Sequence, residues 1–273
     1  MHTARLIRTI RALAVAASLT ALAAHARADA LDDGAAAFAA GDFAAARAAW
    51  QPLADAGNPV AQFNMGVLYE QGRGVEPDPA AAMAWWEKAA GQSYAPAQHN
   101  LALAYMDGQA GPPDFAAAAK RFTQAAAQGY ARSQYSLGKL YLEGLGVAAD
   151  PAKGFQLIAR AAQAGLPAAQ YNLGKMFRDG IGVAPDRVAA FEWFLRAAER
   201  GHARAQGHAG HRLAEGDGVT ADPVEGLYWL TLAVRGGDIE SEAERAAVAL
   251  RVGADAQAKA EARADAFVPV PAE

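Results

Sequence analysis

Apolar positions recur along this chain at helical spacing, in short stretches that come in pairs. In the stretch that begins at Ala61, residues Ala61, Met65, Leu68 and Tyr69 fall on one face of a helix. In the stretch that follows, Trp86, Ala89 and Ala90 form the inner face. Their counterparts are Phe122, Ala125 and Ala126, then Ile158, Ala161 and Ala162, then Phe194, Ala197 and Ala198. Polar punctuation separates the stretches. Gly72 and Gly74 end the first helix, because glycine suits the left-handed conformation of a C-cap. Asp78-Pro79 opens the second, with aspartate accepting from free backbone N–H groups and proline fitting the first turn. Asp150-Pro151 and Asp222-Pro223 repeat the device, and Asp114 and Asp186 keep the cap without the proline. Gly129, Gly165 and Gly201 close second helices.

The pattern is strictly periodic. The dipeptide Ala61-Gln62 returns as Ala97-Gln98, Ser133-Gln134, Ala169-Gln170 and Ala205-Gln206, each step being 36 residues. A period of this size marks a stack of helix pairs. The predicted fold is all-α: a right-handed α/α solenoid of about six helix-turn-helix repeats with C-terminal capping helices. Gly66, Gly138 and Gly174 sit inside first helices, where glycine costs roughly 1 kcal/mol relative to alanine. Close helix–helix approach is the expected compensation. Asp42 and Trp50 lie 36 residues before Asp78 and Trp86, so residues 29–58 read as an N-terminal capping helix pair whose first helix covers Leu31 to Ala40. Five full repeats occupy 59–240. Capping helices over Ser241 to Arg251 and Asp255 to Phe267 fill 241–267, and the two-proline tail 268–273 is expected to be disordered.

Residues 1–28 lie outside the repeats. Arg5, Arg8 and Arg11 precede an apolar run from Ala12 to Ala24, and small-x-small sites follow that would place cleavage near Ala26 or Ala28. This reads as a secretory signal peptide, and hence a periplasmic protein. The run spans 13 residues, short of the ~20 apolar ones that span a bilayer, so membrane attachment would need an uncleaved leader. Loss of the leader takes four arginines and no acid, moving the net charge from −4 to −8. An acidic chain without a basic stripe is a poor match for nucleic acid or anionic lipid. The chain has no cysteine, which removes disulfides and thiolate chemistry together.

The segments AQFNMGVLYEQGRGVEPD, SQYSLGKLYLEGLGVAAD and AQYNLGKMFRDGIGVAPD, each followed by a second helix ending in KAA- or RAA-like sequence, resemble the Sel1-like repeat family. That family is related to the tetratricopeptide repeat. The resemblance covers about Asp42 to Gly237 and departs at Gln109 to Pro113, where the usual GxGV loop is replaced. The departure is expected to alter the turn and not the register. The resemblance implies a scaffold that holds another protein or an extended peptide. Exported relatives include regulators that bind an envelope kinase sensor and assembly factors for exported polysaccharide. Secreted relatives linked to β-lactam hydrolysis look cysteine-rich, so that activity is poorly matched here.

In tetratricopeptide-like stacks the first helices line the concave face, and this analogy selects the candidate partner-binding residues. The first groove position carries Phe63, His99, Tyr135, Tyr171 and Gly207. The next carries Val67, Leu103, Lys139, Lys175 and His211, with Arg178 one turn further on. Aromatic rings supply rigid contact area for binding, although a stripe at repeat spacing also suits plain packing. The change from Val67 and Leu103 to Lys139, Lys175 and His211 is not required for stacking. The same aromatic row could instead take a cell-wall glycan. His208 and His211 have the spacing of a metal-binding pair, but no carboxylate supports them. His208 also aligns with Asn64, Asn100 and Asn172, a shared polar slot. No metal, cofactor or catalytic constellation is therefore expected, and the chain reads as a binding protein rather than an enzyme.

Overall fold

The computed structural model describes residues 29–109 and 111–271. The expected signal peptide and the last two residues of the tail lie outside them. The chain divides into two compact units, 1–114 and 115–273. The first contains α1 (29–39), α2 (Phe43–Asp55), α3 (Pro59–Gln71), α4 (Pro79–Gly91) and α5 (Ala95–Asp107). The second contains α6 (Phe115–Ala127), α7 (Ala131–Glu143), α8 (Pro151–Gln163), α9 (Pro167–Asp179), α10 (Arg187–Glu199), α11 (Ala203–Glu215) and α12 (Pro223–Arg235). A 3₁₀ turn (Ile239–Ser241), α13 (Glu242–Val252) and α14 (Ala254–Asp265) complete it. No strand occurs among the described residues. Within each unit helices pack in chain order, α2 on α3 and α3 on α4, then α6 on α7 and so on to α12, the arrangement of an α/α solenoid.

Every helix from α2 to α12 is 13 residues long. Helices this short are marginal alone, so their stability is tertiary. Their ends are set locally. Asp42, Asp78, Asp150, Asp186 and Asp222 each accept from the N–H three residues on, at 2.9–3.0 Å. The aspartate N–H in turn donates to the carbonyl nine residues earlier, from Asp78 to Tyr69, Asp150 to Tyr141, Asp186 to Phe177 and Asp222 to Leu213, at 2.7–2.9 Å. Asp114 makes the same bond to Tyr105 at 2.8 Å. The aberrant loop before it therefore changes the turn and keeps the register.

Two further devices recur between helices. Gln62, Gln98, Gln134, Gln170 and Gln206 are buried, and each Nε2 donates to the carbonyl eight residues earlier, at 3.1–3.3 Å. This bond ties the start of one first helix to the end of the preceding second helix. The other device is a glycine seat. A Cβ on Gly66 would lie 2.3 Å from the Trp86 indole nitrogen, and one on Gly174 would lie 2.8 Å from the Phe194 ring. On Gly210 it would lie 2.7 Å from Leu230. The large side chain of the second helix thus rests on bare backbone of the first, and Trp86 and Phe194 are fully buried.

Both ends adapt these devices. In α1 the seat is Gly34, which would clash with Trp50 at 2.1 Å if it bore a Cβ, and the Trp50 indole donates to the Leu31 carbonyl at 3.3 Å. At the other end Gln257 of α14 donates to the Ala249 carbonyl, again eight residues back, at 2.8 Å. The tail differs from expectation: the Val270 N–H donates to the Glu199 carbonyl at 2.9 Å, and Pro269 lies against Gly201. Proline and valine here cover a helix end, so Pro269 and Val270 are held where the sequence suggested disorder.

The seat yields a prediction whose sign is informative. Alanine is the better helix former by ~1 kcal/mol. Gly66→Ala should nonetheless destabilise the protein by about 1–3 kcal/mol through overpacking against Trp86. Urea unfolding checks it, and a more stable variant would show that the indole moves aside freely.

Candidate functional site

The first helices α7, α9 and α11 build a groove in the second unit. Tyr135 on α7 and Tyr171 on α9 are half-buried. The Tyr135 hydroxyl accepts from Asn172 Nδ2 at 2.8 Å, and the same amide group donates to the Ala168 carbonyl at 2.8 Å. Burial, with the nearby Glu143 charge, raises the Tyr135 pKa and keeps the phenol neutral. The Tyr171 ring stacks on His202, with centroids 4.5 Å apart and planes at 20°. His202 is the N-cap of α11: its Nδ1 accepts from the Ala205 N–H at 3.3 Å, so its proton sits on Nε2. Burial lowers the His202 pKa and favours this neutral form.

Tyr135, Tyr171, Asn172, His202, Arg204 and Asp238 enclose an open cavity of about 650 Å³. Tyr171, Arg204 and Asp238 also line a second hollow of about 260 Å³, which His208, His211 and Glu244 extend. His208 and His211 in turn border a third, of about 400 Å³, with Arg178, Arg187, Arg212 and Asp217. Neighbouring hollows share wall residues. They run along α9 and α11 from the N-terminal to the C-terminal ends of these helices.

Several residues singled out in the sequence meet here. Tyr135, Tyr171, Arg178 and His211 line the hollows, and Lys175 Nζ lies 5.7 Å from the Tyr171 ring centre. Lys139 is exposed on α7. Arg178 forms a bidentate pair with its neighbour Asp179 at 2.7 and 2.8 Å, which holds the Asp179 carboxyl below its usual range. The His211 imidazole pairs with Glu244 of α13 at 2.5 Å.

Two positions differ from the groove assignment. His99, in the first unit, is only 7% exposed and offers a partner almost no surface. Gly207 ends the aromatic row because the chain itself fills the space: a Cβ there would meet Ser241 Oγ at 2.3 Å and Asp238 Oδ2 at 2.4 Å. Phe63, also in the first unit, packs edge-on against Tyr94 with centroids 5.6 Å apart, and beside the buried cluster around Trp86. Tyr94 and Trp86 both belong to the same repeat as Phe63, so these contacts are internal to it. The tertiary contacts add Arg204, Arg212 and Asp238, which the groove analogy missed. Arg212 alone left a legible signal, since it occupies the period position of Leu68, Ala104, Leu140 and Met176.

Helix pairs stacked in chain order, with a long groove on their first helices, define a repeat scaffold. The Sel1 repeat family model matches residues 59–94, 95–130, 131–166, 167–202 and 203–238, and the chain belongs to the Sel1 repeat family. Sel1 repeats generally mediate protein–protein interaction. The crystal structure of a Sel1 repeat protein from Oxalobacter formigenes is similar at 31% identity and a TM-score of 0.70, over 76% of this chain and 86% of that one. A second similar structure is c5321, described as a protective antigen present in uropathogenic Escherichia coli strains and displaying an SLR fold. It shares 25% identity at a TM-score of 0.55, over 82% of this chain and 56% of that one. Comparison with curated protein sequences gave no match.

The site carries a pH signature. Burial, then the charges of Arg178 and Arg212, lower the His208 pKa to about 4; His211 acts the same way and Asp238 opposes. The unfolded chain, with histidine near 6.5, therefore binds the proton first as pH falls. Stability contributed by neutral His208 is complete above pH ~6.5 and is lost towards about 4. His208→Asn, the residue of the equivalent Asn64 and Asn172, should flatten the urea midpoint across that window. An unchanged profile would assign the acid sensitivity elsewhere.

Proposed function

We propose that this protein is an exported, periplasmic scaffold that holds an extended segment of a partner protein in the groove of its second unit. The observation that carries this reading is the open cavity walled by Tyr135, Tyr171 and His202, whose rings are already held by Asn172 and by mutual stacking. Fixed rings lose little entropy on binding, which favours affinity. Lys139, Lys175 and Arg178 flank the rings and suit an acidic partner. The basic, apolar and small-residue pattern of residues 1–28 supports export. A role in regulating an envelope sensor or in assembling envelope polysaccharide fits such a scaffold.

Capture from envelope extract tests the groove. The double variant Lys139→Glu with Lys175→Glu should weaken partner capture by at least about tenfold, roughly 1.4 kcal/mol, with helix content unchanged by circular dichroism. Undiminished capture would remove these lysines from the site. If neither form captures protein while muropeptides quench tyrosine fluorescence, the groove is a glycan site instead. Export has its own test: the protein recovered from the periplasmic fraction should begin near residue 27 or 29 by N-terminal sequencing. An intact Met1 in the cytoplasm would overturn it.

A further inference from the structure

The repeat supplies its own control, because each position can be compared with its equivalents 36 residues away. At one such position Leu68, Leu140 and Met176 are 0%, 1% and 3% exposed, and the fifth repeat places Arg212 there at 4%. Stacking does not require a cation in a slot that leucine fills. Arginine is almost never fully buried unless paired. The pairing is built from other departures. Asp217 stands where other repeats have Arg73, Leu145 and Ile181, and accepts from Arg212 through both its carboxylate and, at 3.2 Å, its backbone carbonyl. Arg187 stands where Pro79, Pro151 and Pro223 open their helices, and lies 3.4 Å from the other Asp217 oxygen. Arg178 replaces the Glu70, Leu142 and Ala214 of its equivalents. These separate departures converge on the hollow of about 400 Å³.

Among the lining residues Arg178, Arg187 and Arg212 stand with one carboxylate, Asp217, while Asp179 and Glu244 pair with Arg178 and His211 outside the lining. Arg212 forms the floor, stacked 5.5 Å from the Phe194 ring centre, while Arg187 stands 81% exposed at the rim. Guanidinium groups bind carboxylates through paired, charge-assisted hydrogen bonds. A buried ion pair adds little stability over apolar packing, so stability does not account for this one.

We propose that the fifth-repeat hollow receives a carboxylate, supplied by an acidic residue of the peptide held in the groove. The source of the carboxylate rests on the scaffold reading; the carboxylate site does not. Tyr171 and Arg178 are seven residues apart on α9, or ~10 Å at 1.5 Å per residue. An extended peptide covers that in about three residues. The acid therefore sits three positions from the residue resting on Tyr171.

The test is side-chain NMR of the arginine Nε–H groups in the full chain. It is titrated with acetyl-Leu-Ser-Ser-Glu-amide, with its Gln counterpart and with succinate. The expected result is a shift of the Arg187 and Arg212 signals by the Glu peptide, at least about tenfold weaker for the Gln peptide. The double variant Arg212→Leu with Asp217→Ile, which restores the residues of Leu140 and Ile181, should abolish the shift and melt no lower than wild type. A response to succinate alone would keep the carboxylate site and overturn the peptide source. No response to any probe, equal response to Glu and Gln peptides, or an unaffected variant would overturn the site. A variant that melts well below wild type would make the pair a structural anchor and overturn it also. The scaffold reading is decided separately, by capture with the Lys139 and Lys175 variants.

Discussion

A buried glutamine amide holds each junction of this stack. Burying an amide without a partner costs several kcal/mol on transfer scales, so the bond from Gln Nε2 to the carbonyl eight residues back is close to obligatory once the side chain is enclosed. It fixes where one helix pair meets the next. The residue before it, Ala61, Ala97, Ser133, Ala169 or Ala205, is fully buried and small, which lets the backbones approach. The glycine seats act on the other junction, within a pair, by letting Trp86, Phe194 or Leu230 lie directly on backbone. Alternating these constraints gives thirteen-residue helices a geometry that their own propensity could not hold.

Against such regularity, departures from it stand out. The positions that define the stack keep small, apolar or amide character from repeat to repeat, so a buried Arg212 or a histidine in a mostly asparagine slot stands out. The groove inherits its order from the stack. Tyr171 is oriented by His202 of the next first helix, and Tyr135 by Asn172. Contact residues borrowed from successive repeats in this way are preorganised without loops.

The C-terminal helices close the second unit and shape the same groove. Val248, Ala260 and Ala264 bury against the cluster that includes Leu227 and Leu230. Around that apolar contact lie ion pairs between Arg251 and Glu215, Arg263 and Glu225, and Arg235 and Glu261, at 2.6–2.8 Å. Exposed pairs of this kind contribute about 0–1 kcal/mol each, so they orient the cap more than they stabilise it. By occupying the space over Gly207, Asp238 and Ser241 end the aromatic row, and Asp238 walls the cavity beside His202.

The sequence by itself determined the helices, their ends and their order. Aspartate caps, left-handed glycines and apolar spacing act within a few residues and are repeated often enough to be read without ambiguity. Tyr135, Tyr171, Arg178 and His211, singled out from the period, line the hollows of the second unit. The tertiary structure alone decided what each side chain meets. His99 and Tyr135 share a period position, yet one is buried and the other half-exposed. Gly207 looked like an empty groove position until Asp238 filled it, and Val270 found the carbonyl of Glu199. Those outcomes depend on contacts between residues about 30 or more apart, whose partners are not repeated in the sequence. Periodicity carries no information about them.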